Sequence, residues 1–186
     1  MSQSHEFLKK MISLPGLSAH EQPIRQLIQG AWGPLTDELS VSRIGSLHGL
    51  KRGSGAEPRP SILIAAHMDA IGLMVTGLVD GFLHVTGIGG LDARVLPGQL
   101  VTVHGREDLP AVLVQPPDRL LPAEDQENPV PLERLLVDTG LRPAQVKALV
   151  RVGDLVSFAQ PPLILGKDRT IVGHSLDNRA SVAALT

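Results

Sequence analysis

Ser61-Ile62-Leu63-Ile64-Ala65-Ala66-His67-Met68-Asp69 is an unbroken apolar run that stops at a histidine and an aspartate two residues apart. A strand with one wet face alternates apolar and polar residues. A continuous run of this length is instead expected of a strand covered on both faces in a parallel or mixed sheet. On that reading His67 ends the strand, and His67 and Asp69 project from one face at its carboxyl end, where open α/β sheets bind ligands. The run sets the expected class, an α/β domain.

Upstream, Phe7, Leu8, Met11, Ile12 and Leu14 recur at helical spacing until Pro15-Gly16 ends the pattern. A second helix is expected from Ser18-Ala19-His20-Glu21, which has capping-box spacing, with Ile24, Leu27 and Ile28 as its apolar face. His20 and Glu21 are read there as capping residues. Residues 38–50 read as a strand pair about Gly45-Ser46, and residues 51–60 as a hydrophilic turn.

Downstream of Gly72 the texture changes to short β-like runs separated by Gly and Pro, at 73–78, 82–86, 99–104, 111–115 and 154–158. Only residues 142–149, entered through Pro143, look helical, so this stretch is expected to form a small β-barrel or sandwich. The acidic, Pro-rich residues 115–131 read as an exposed loop. Gly87-Ile88-Gly89-Gly90 meets neither dinucleotide nor P-loop spacing and reads as turns or bulges, with Asp92 and Arg94 bonding locally. A strand at 170–172 returns to the first domain. The expected organisation is an α/β domain (1–72), a β insert (73–163) and an incomplete return to the α/β domain (164–186).

Composition narrows the function classes. The 186 residues are 42% hydrophobic and 19% charged, with one Trp, three Phe and no Tyr, so the core rests on aliphatic packing. No cysteine excludes disulfides, thiolate metal sites and Cys nucleophiles, leaving His and carboxylates as metal donors. A net charge of −2, no long basic run and few aromatics argue against a nucleic-acid partner. No apolar run approaches 18 residues and the polar N-terminus lacks a signal-peptide core, so no membrane partner and a cytoplasmic location are expected.

Two motifs carry chemistry. Neutral imidazole is a good Zn²⁺ ligand, and a carboxylate on the other ring nitrogen fixes its tautomer, so His67 is a candidate metal ligand and Asp69 its orienting partner. The plainer reading is a packed strand-end histidine with Asp69 capping the next turn. Asp177, in Leu176-Asp177-Asn178-Arg179, could bridge two cations as in two-metal hydrolases, or simply cap a helix. Neither motif decides alone.

Their surroundings do more. The chain resembles the metallopeptidase family of glutamyl, deblocking and tetrahedral aminopeptidases. The likeness runs through Leu17-Ser18-Ala19-His20-Glu21 with Ile24-Arg25, Ala66-His67-Met68-Asp69-Ala70-Ile71-Gly72, and Gly89-Gly90-Leu91-Asp92-Ala93-Arg94 into Pro97-Gly98-Gln99. It continues through Val137-Asp138-Thr139-Gly140, Val152-Gly153-Asp154-Leu155-Val156 and Leu176-Asp177-Asn178-Arg179. The resemblance implies part of an α/β/α catalytic domain interrupted by a small β-barrel that mediates homo-oligomer formation. It also implies two divalent ions, zinc or cobalt, with His67 as ligand of one and Asp177 bridging both. Asp69 would orient His67, and short peptides would lose N-terminal residues to a metal-activated water.

Departures from the family pattern matter. Ala70 stands where the family usually has Glu, and Gln115-Pro116-Pro117-Asp118 where it often has Pro-His. No Asp, Glu or His follows Asp177, whereas the resemblance implies a later Glu pair, an Asp and a His as base and remaining ligands. The chain is therefore expected to be an inactive N-terminal portion, with exposed apolar surface. Two rivals are weighed. One is a non-catalytic assembly subunit that uses the β insert; the other is an aspartic-protease-like site at Asp138-Thr139-Gly140, which requires a second matching Asp.

Overall fold

The computed structural model describes residues 3–167 and 170–186. The chain divides into two compact units, Met1–Ala70 with Pro161–Thr186, and Ile71–Gln160. The first carries α1 (Gln3–Ile12), α2 (Gln22–Trp32), β1 (Glu38–Val41) and β2 (Leu47–Leu50). The second carries β3 (Gly72–Val79), β4 (Phe82–Ile88), β5 (Leu100–His104), β6 (Asp108–Val114), α3 (Ala123–Gln126), β7 (Leu136–Asp138), α4 (Pro143–Leu149) and β8 (Leu155–Phe158). The chain then returns to the first unit with β9 (Leu163–Leu165), β10 (Thr170–Val172) and α5 (Leu176–Leu185). Among the described residues no helix is long and apolar enough to cross a membrane.

In the first unit the helical periodicities bury one stripe each: Met11 from α1, Ile24 and Ile28 from α2, and Val182 from α5 form a shared core. Residues 38–50 form the expected hairpin, with Glu38 opposite Leu50 and Val41 opposite Leu47. The capping-box expectation is overturned. Pro23 favours a first-turn position, so α2 starts at Gln22; Glu21 is its N-cap and makes no side-chain cap. Glu21 Oε1 instead accepts the Ala19 N–H at 2.8 Å, and Ser18 is engaged elsewhere.

The strand expected at 61–66 is also absent. The unit's strands pair off as β1 with β2 and β9 with β10. Residues 61–66 thus have no ladder partner among the described residues, and Ile62, Leu63 and Ile64 remain 88, 92 and 67% exposed. The composition suits a covered strand, but a strand needs neighbours to exist.

What does order the end of this segment is a buried cation. Arg179, on α5, is fully buried. Its Nε donates to the Met68 carbonyl at 2.9 Å, and Nη1 donates to the carbonyls of Leu14, at 2.7 Å, and of Met11. Nη2 has no partner among the described residues. Burial pushes the Arg179 pKa down to about 10, so the group still folds charged at neutral pH. One planar fork therefore ties the end of α1, the His67 segment and α5 together.

The second unit is a closed six-stranded antiparallel barrel in the order β3-β4-β7-β6-β5-β8. Alternate residues point inward: Leu73 and Val75, Leu83 and Val85, Val101 and Val103, Leu109, Ala111 and Leu113, Val137, and Val156. Each such side chain contributes about 1.5–3 kcal/mol of apolar burial. Two expectations need correction here. Leu121 and Val130, from the stretch read as an exposed loop, are buried in the barrel core, because a barrel end needs an apolar cover. Asp138 ends β7, pairing with Phe82 and Val112, and its Oδ1 accepts the Gly140 N–H at 2.8 Å. Its side chain is thus used in a local turn, which removes the aspartic-protease reading. Asp92 and Arg94 do bond locally; the guanidinium holds the Asp92 carboxyl down to about 2. Gly89 sits at φ +82°, and a Cβ there would lie 2.6 Å from the Ile71 side chain, as a turn glycine requires.

His104, Asp108 and Ser157 form a polar chain across β5, β6 and β8. Nδ1 lies 2.8 Å from Asp108 Oδ1 and Nε2 lies 2.8 Å from Ser157 Oγ. The order of groups is that of a hydrolase triad, but Ser157 is only 8% exposed within the sheet. That burial denies a carbonyl carbon the approach to Oγ that attack requires. The chain pins strand register.

Two stability outcomes follow. A Cβ on Gly105 would meet the Leu149 carbonyl oxygen at 2.4 Å, so Gly105→Ala is expected to cost about 1–3 kcal/mol. Gly90→Ala, which meets nothing within 4 Å, is expected to stay within about 0.5 kcal/mol; urea unfolding followed by circular dichroism separates the two. Arg179→Met takes the donor from three carbonyls, that of Met11 buried and those of Leu14 and Met68 partly buried, and is expected to cost about 3 kcal/mol or more. Arg179→Lys should recover little, because an ammonium lacks the fork. The single tryptophan, Trp32, reports this loss by fluorescence from within the same unit.

Candidate functional site

Site geometry begins with the local backbone. The segment carrying His67 is fastened at Met68 by Arg179, and one residue past Asp69 the Ala70 N–H donates to the Gly16 carbonyl at 2.8 Å. Leu17 and Ala70 form an isolated parallel bridge beside it. These contacts bring the α1–α2 connection alongside residues 67–70, which is how Ser18 reaches Asp69.

His67 lies between two carboxylates. Its Nδ1 is 2.9 Å from Asp69 Oδ1, and its Nε2 is 3.1 Å from Asp177 Oδ1, a residue 110 positions away in sequence. Asp69 is held at both oxygens, since Ser18 Oγ donates to its Oδ2 at 2.5 Å. The Ser18 hydrogen bond is the main influence that lowers the Asp69 pKa, with partial burial opposing it and the bond to His67 adding to it. Asp177 differs sharply: its side chain is 95% exposed against 33% for Asp69. Asp177 and Asn178 have non-helical backbone angles within α5, and the peptide between them is cis. The carboxylate faces His67, with Oδ1 3.1 Å from Nε2, and does not cap the helix.

All three candidate residues named from sequence, His67, Asp69 and Asp177, are brought into one chain of contacts. Ser18 was missed because its spacing to Glu21 matched a cap; the long-range partner has no local signal. His174 was missed as well. It lies three residues before Asp177, its Nδ1 is 2.6 Å from Ser175 Oγ, and burial, with the charge of Arg179, pushes its pKa below the ordinary histidine range.

The donor chemistry suits a divalent cation. Two ligands of one tetrahedral zinc at about 2.1 Å lie about 3.4 Å apart, and the observed Nε2 to Oδ1 separation is within a few tenths of that. The count is short, however. Among the described residues no group of three or more His, Asp or Glu side chains is placed to hold a metal ion. An open cleft of about 660 Å³ in the same unit runs beside the histidine, lined among others by Glu21, Ile44, His48, Leu63, His67 and Asp69.

Comparison with known proteins places the chain in a family. Lysyl aminopeptidase of Pyrococcus furiosus is 32% identical over 97% of this chain and 52% of its own. The TET aminopeptidase of the marine sediment archaeon Thaumarchaeota archaeon SCGC AB-539-E09 superposes with a TM-score of 0.89 at 26% identity, over 99% of this chain and 52% of that one. The Pyrococcus horikoshii TET1 peptidase, which can assemble into a tetrahedron or a large octahedral shell, gives 0.82 at 31% identity, over 98% and 54%. The chain spans about half the length of the relatives it matches. Residues 45–186 match the model of the M42 glutamyl aminopeptidase family, and the chain belongs to that family.

Proposed function

We propose that this chain contributes part of a two-metal aminopeptidase centre, with His67 Nε2 and the Asp177 carboxylate as ligands and Asp69 orienting the histidine. The observation that carries the reading is the 3.1 Å approach of His67 Nε2 to Asp177 Oδ1, with Asp69 on the opposite ring nitrogen, in a member of an aminopeptidase family. Imidazole and carboxylate donors suit zinc or cobalt. Two divalent ions bound there would polarise the scissile carbonyl and activate a water for attack at the first peptide bond of a short peptide.

Asp69 keeps a proton on Nδ1 so that Nε2 can donate its lone pair. Asp177, exposed and fixed through one oxygen, is the residue able to reach two cations. The cleft beside His67 is where a peptide's leading residues would lie. Because the described residues provide two donors, turnover needs further ligands and a base to join them, and the 186-residue chain by itself is expected to be inactive.

Self-association through the barrel belongs to the same reading. The barrel unit exposes Val79, Phe82 and Leu100, and the related TET1 peptidase can assemble into a tetrahedron or a large octahedral shell. The short donor count also favours a second reading, a non-catalytic assembly subunit.

Zinc titration of the chain, followed by the His67 ring resonances, is expected to give weak, saturable shifts that disappear in Asp177→Ala. No hydrolysis of an aminoacyl anilide above a chelator-treated control is expected. Shifts that persist in Asp177→Ala would overturn the ligand assignment, and metal-dependent turnover by this chain would overturn its inactivity. Sedimentation velocity is expected to show oligomers, shifted toward monomer by Val79→Asp with Phe82→Asp.

A further inference from the structure

His67 poses a contest over one proton. Each ring nitrogen faces a carboxylate oxygen, Asp69 at 2.9 Å and Asp177 at 3.1 Å. In the neutral ring only one nitrogen carries hydrogen. If Asp177 wins, the proton sits on Nε2 and that nitrogen is useless as a ligand. If Asp69 wins, the Nε2 lone pair faces Asp177, and the two form a donor pair.

Ser18 bears on which carboxylate wins. Its Oγ holds Asp69 Oδ2 at 2.5 Å, so the Asp69 carboxylate is anchored at one oxygen while the other faces Nδ1. Nothing local demands this contact. Ser18 stands where a helix cap was expected but does not cap α2, whose N-cap, Glu21, accepts the Ala19 N–H and makes no side-chain cap. The next residue, Ala19, takes φ +69°, a left-handed conformation disfavoured for any residue with a Cβ. That conformation belongs to a turn closed by the His20 N–H on the Leu17 carbonyl at 2.8 Å, and the turn sets the Ser18 hydroxyl against Asp69.

We propose that Ser18 is a positioning residue: by anchoring Asp69 it keeps the His67 proton on Nδ1 and leaves Nε2 free toward Asp177. Asp177 is 95% exposed, so its attraction for the proton is weakened by solvent and it competes poorly while Asp69 is held. Without the hydroxyl, Asp69 is free to turn to solvent, and the proton moves toward Nε2. The importance of the resulting tautomer for zinc rests on the metal reading above; the tautomer itself does not.

The test is two-bond ¹H–¹⁵N correlation spectroscopy of His67 at pH 9 in the metal-free chain, followed by zinc titration on the same signals. The unmodified chain and Ser18→Thr, which keeps the hydroxyl, are expected to show the Nδ1–H pattern. Ser18→Ala should show a mixed or Nε2–H pattern and bind zinc about 3–10-fold more weakly, less than the 10–100-fold typical of a direct partner of a metal ligand. Asp177→Ala in the Ser18→Ala background should return the proton to Nδ1, a readout that general loss of structure would not produce. An unchanged Nδ1–H pattern in Ser18→Ala overturns the proposal. A tautomer shift in Ser18→Ala with no zinc response in the unmodified chain supports the positioning role and overturns the metal reading instead.

Discussion

The guanidinium of Arg179 accepts a heavy desolvation cost and returns it as connectivity. It lies fully buried and donates to carbonyls at Met11, Leu14 and Met68, three points that the sequence separates by up to 168 positions from the arginine itself. A buried cation without such partners would be strongly unfavourable. With them it becomes a joint whose planar geometry allows little slack. Met68 stands between His67 and Asp69, so the same joint that closes the helical core also fixes the peptide units from which both side chains project. Packing and site are therefore one problem in this unit.

The barrel obeys a different constraint. Its strands close on one another, so every inward position has a defined register and the alternation of apolar residues suffices to specify it. The strands at 73–78, 82–86 and 154–158 were legible as short β-like runs separated by Gly and Pro. β7, only three residues long, gave no period to read, and its Asp138-Thr139-Gly140 end looked like a catalytic triplet until its hydrogen bond showed a turn. Leu121 and Val130 sit in a segment whose prolines and acids signal exposure, yet a barrel end must be covered by something apolar.

Residues 61–66 mark the limit of local reading in the other direction. Continuous apolar composition specifies what a strand would need around it, covered faces and paired edges, and says nothing of whether those neighbours are available. With the unit's strands committed to two hairpins, the run remains unpaired, and Ile62 and Leu63 stay in solvent. The end of the same run is nevertheless well placed, because His67 and Asp69 depend on Arg179, Gly16 and Ser18 rather than on a ladder. The site residues were legible as types and spacing; the groups that hold them were not, since each is a contact across tens of residues.

Solvent divides the two carboxylates at His67 into different roles. Asp69, two-thirds covered and bonded at both oxygens, has little freedom and a depressed pKa; it is suited to hold a proton in place on its neighbour. Asp177 is almost wholly exposed and held through one oxygen. A carboxylate that exposed is open to an incoming cation. Exchanging the two environments would leave a buried anion to recruit metal and a mobile one to fix a tautomer, and neither would do its work. On the function proposed above, the asymmetry of burial, more than the identity of the side chains, is what suits Asp69 to orient the histidine and Asp177 to serve as a ligand.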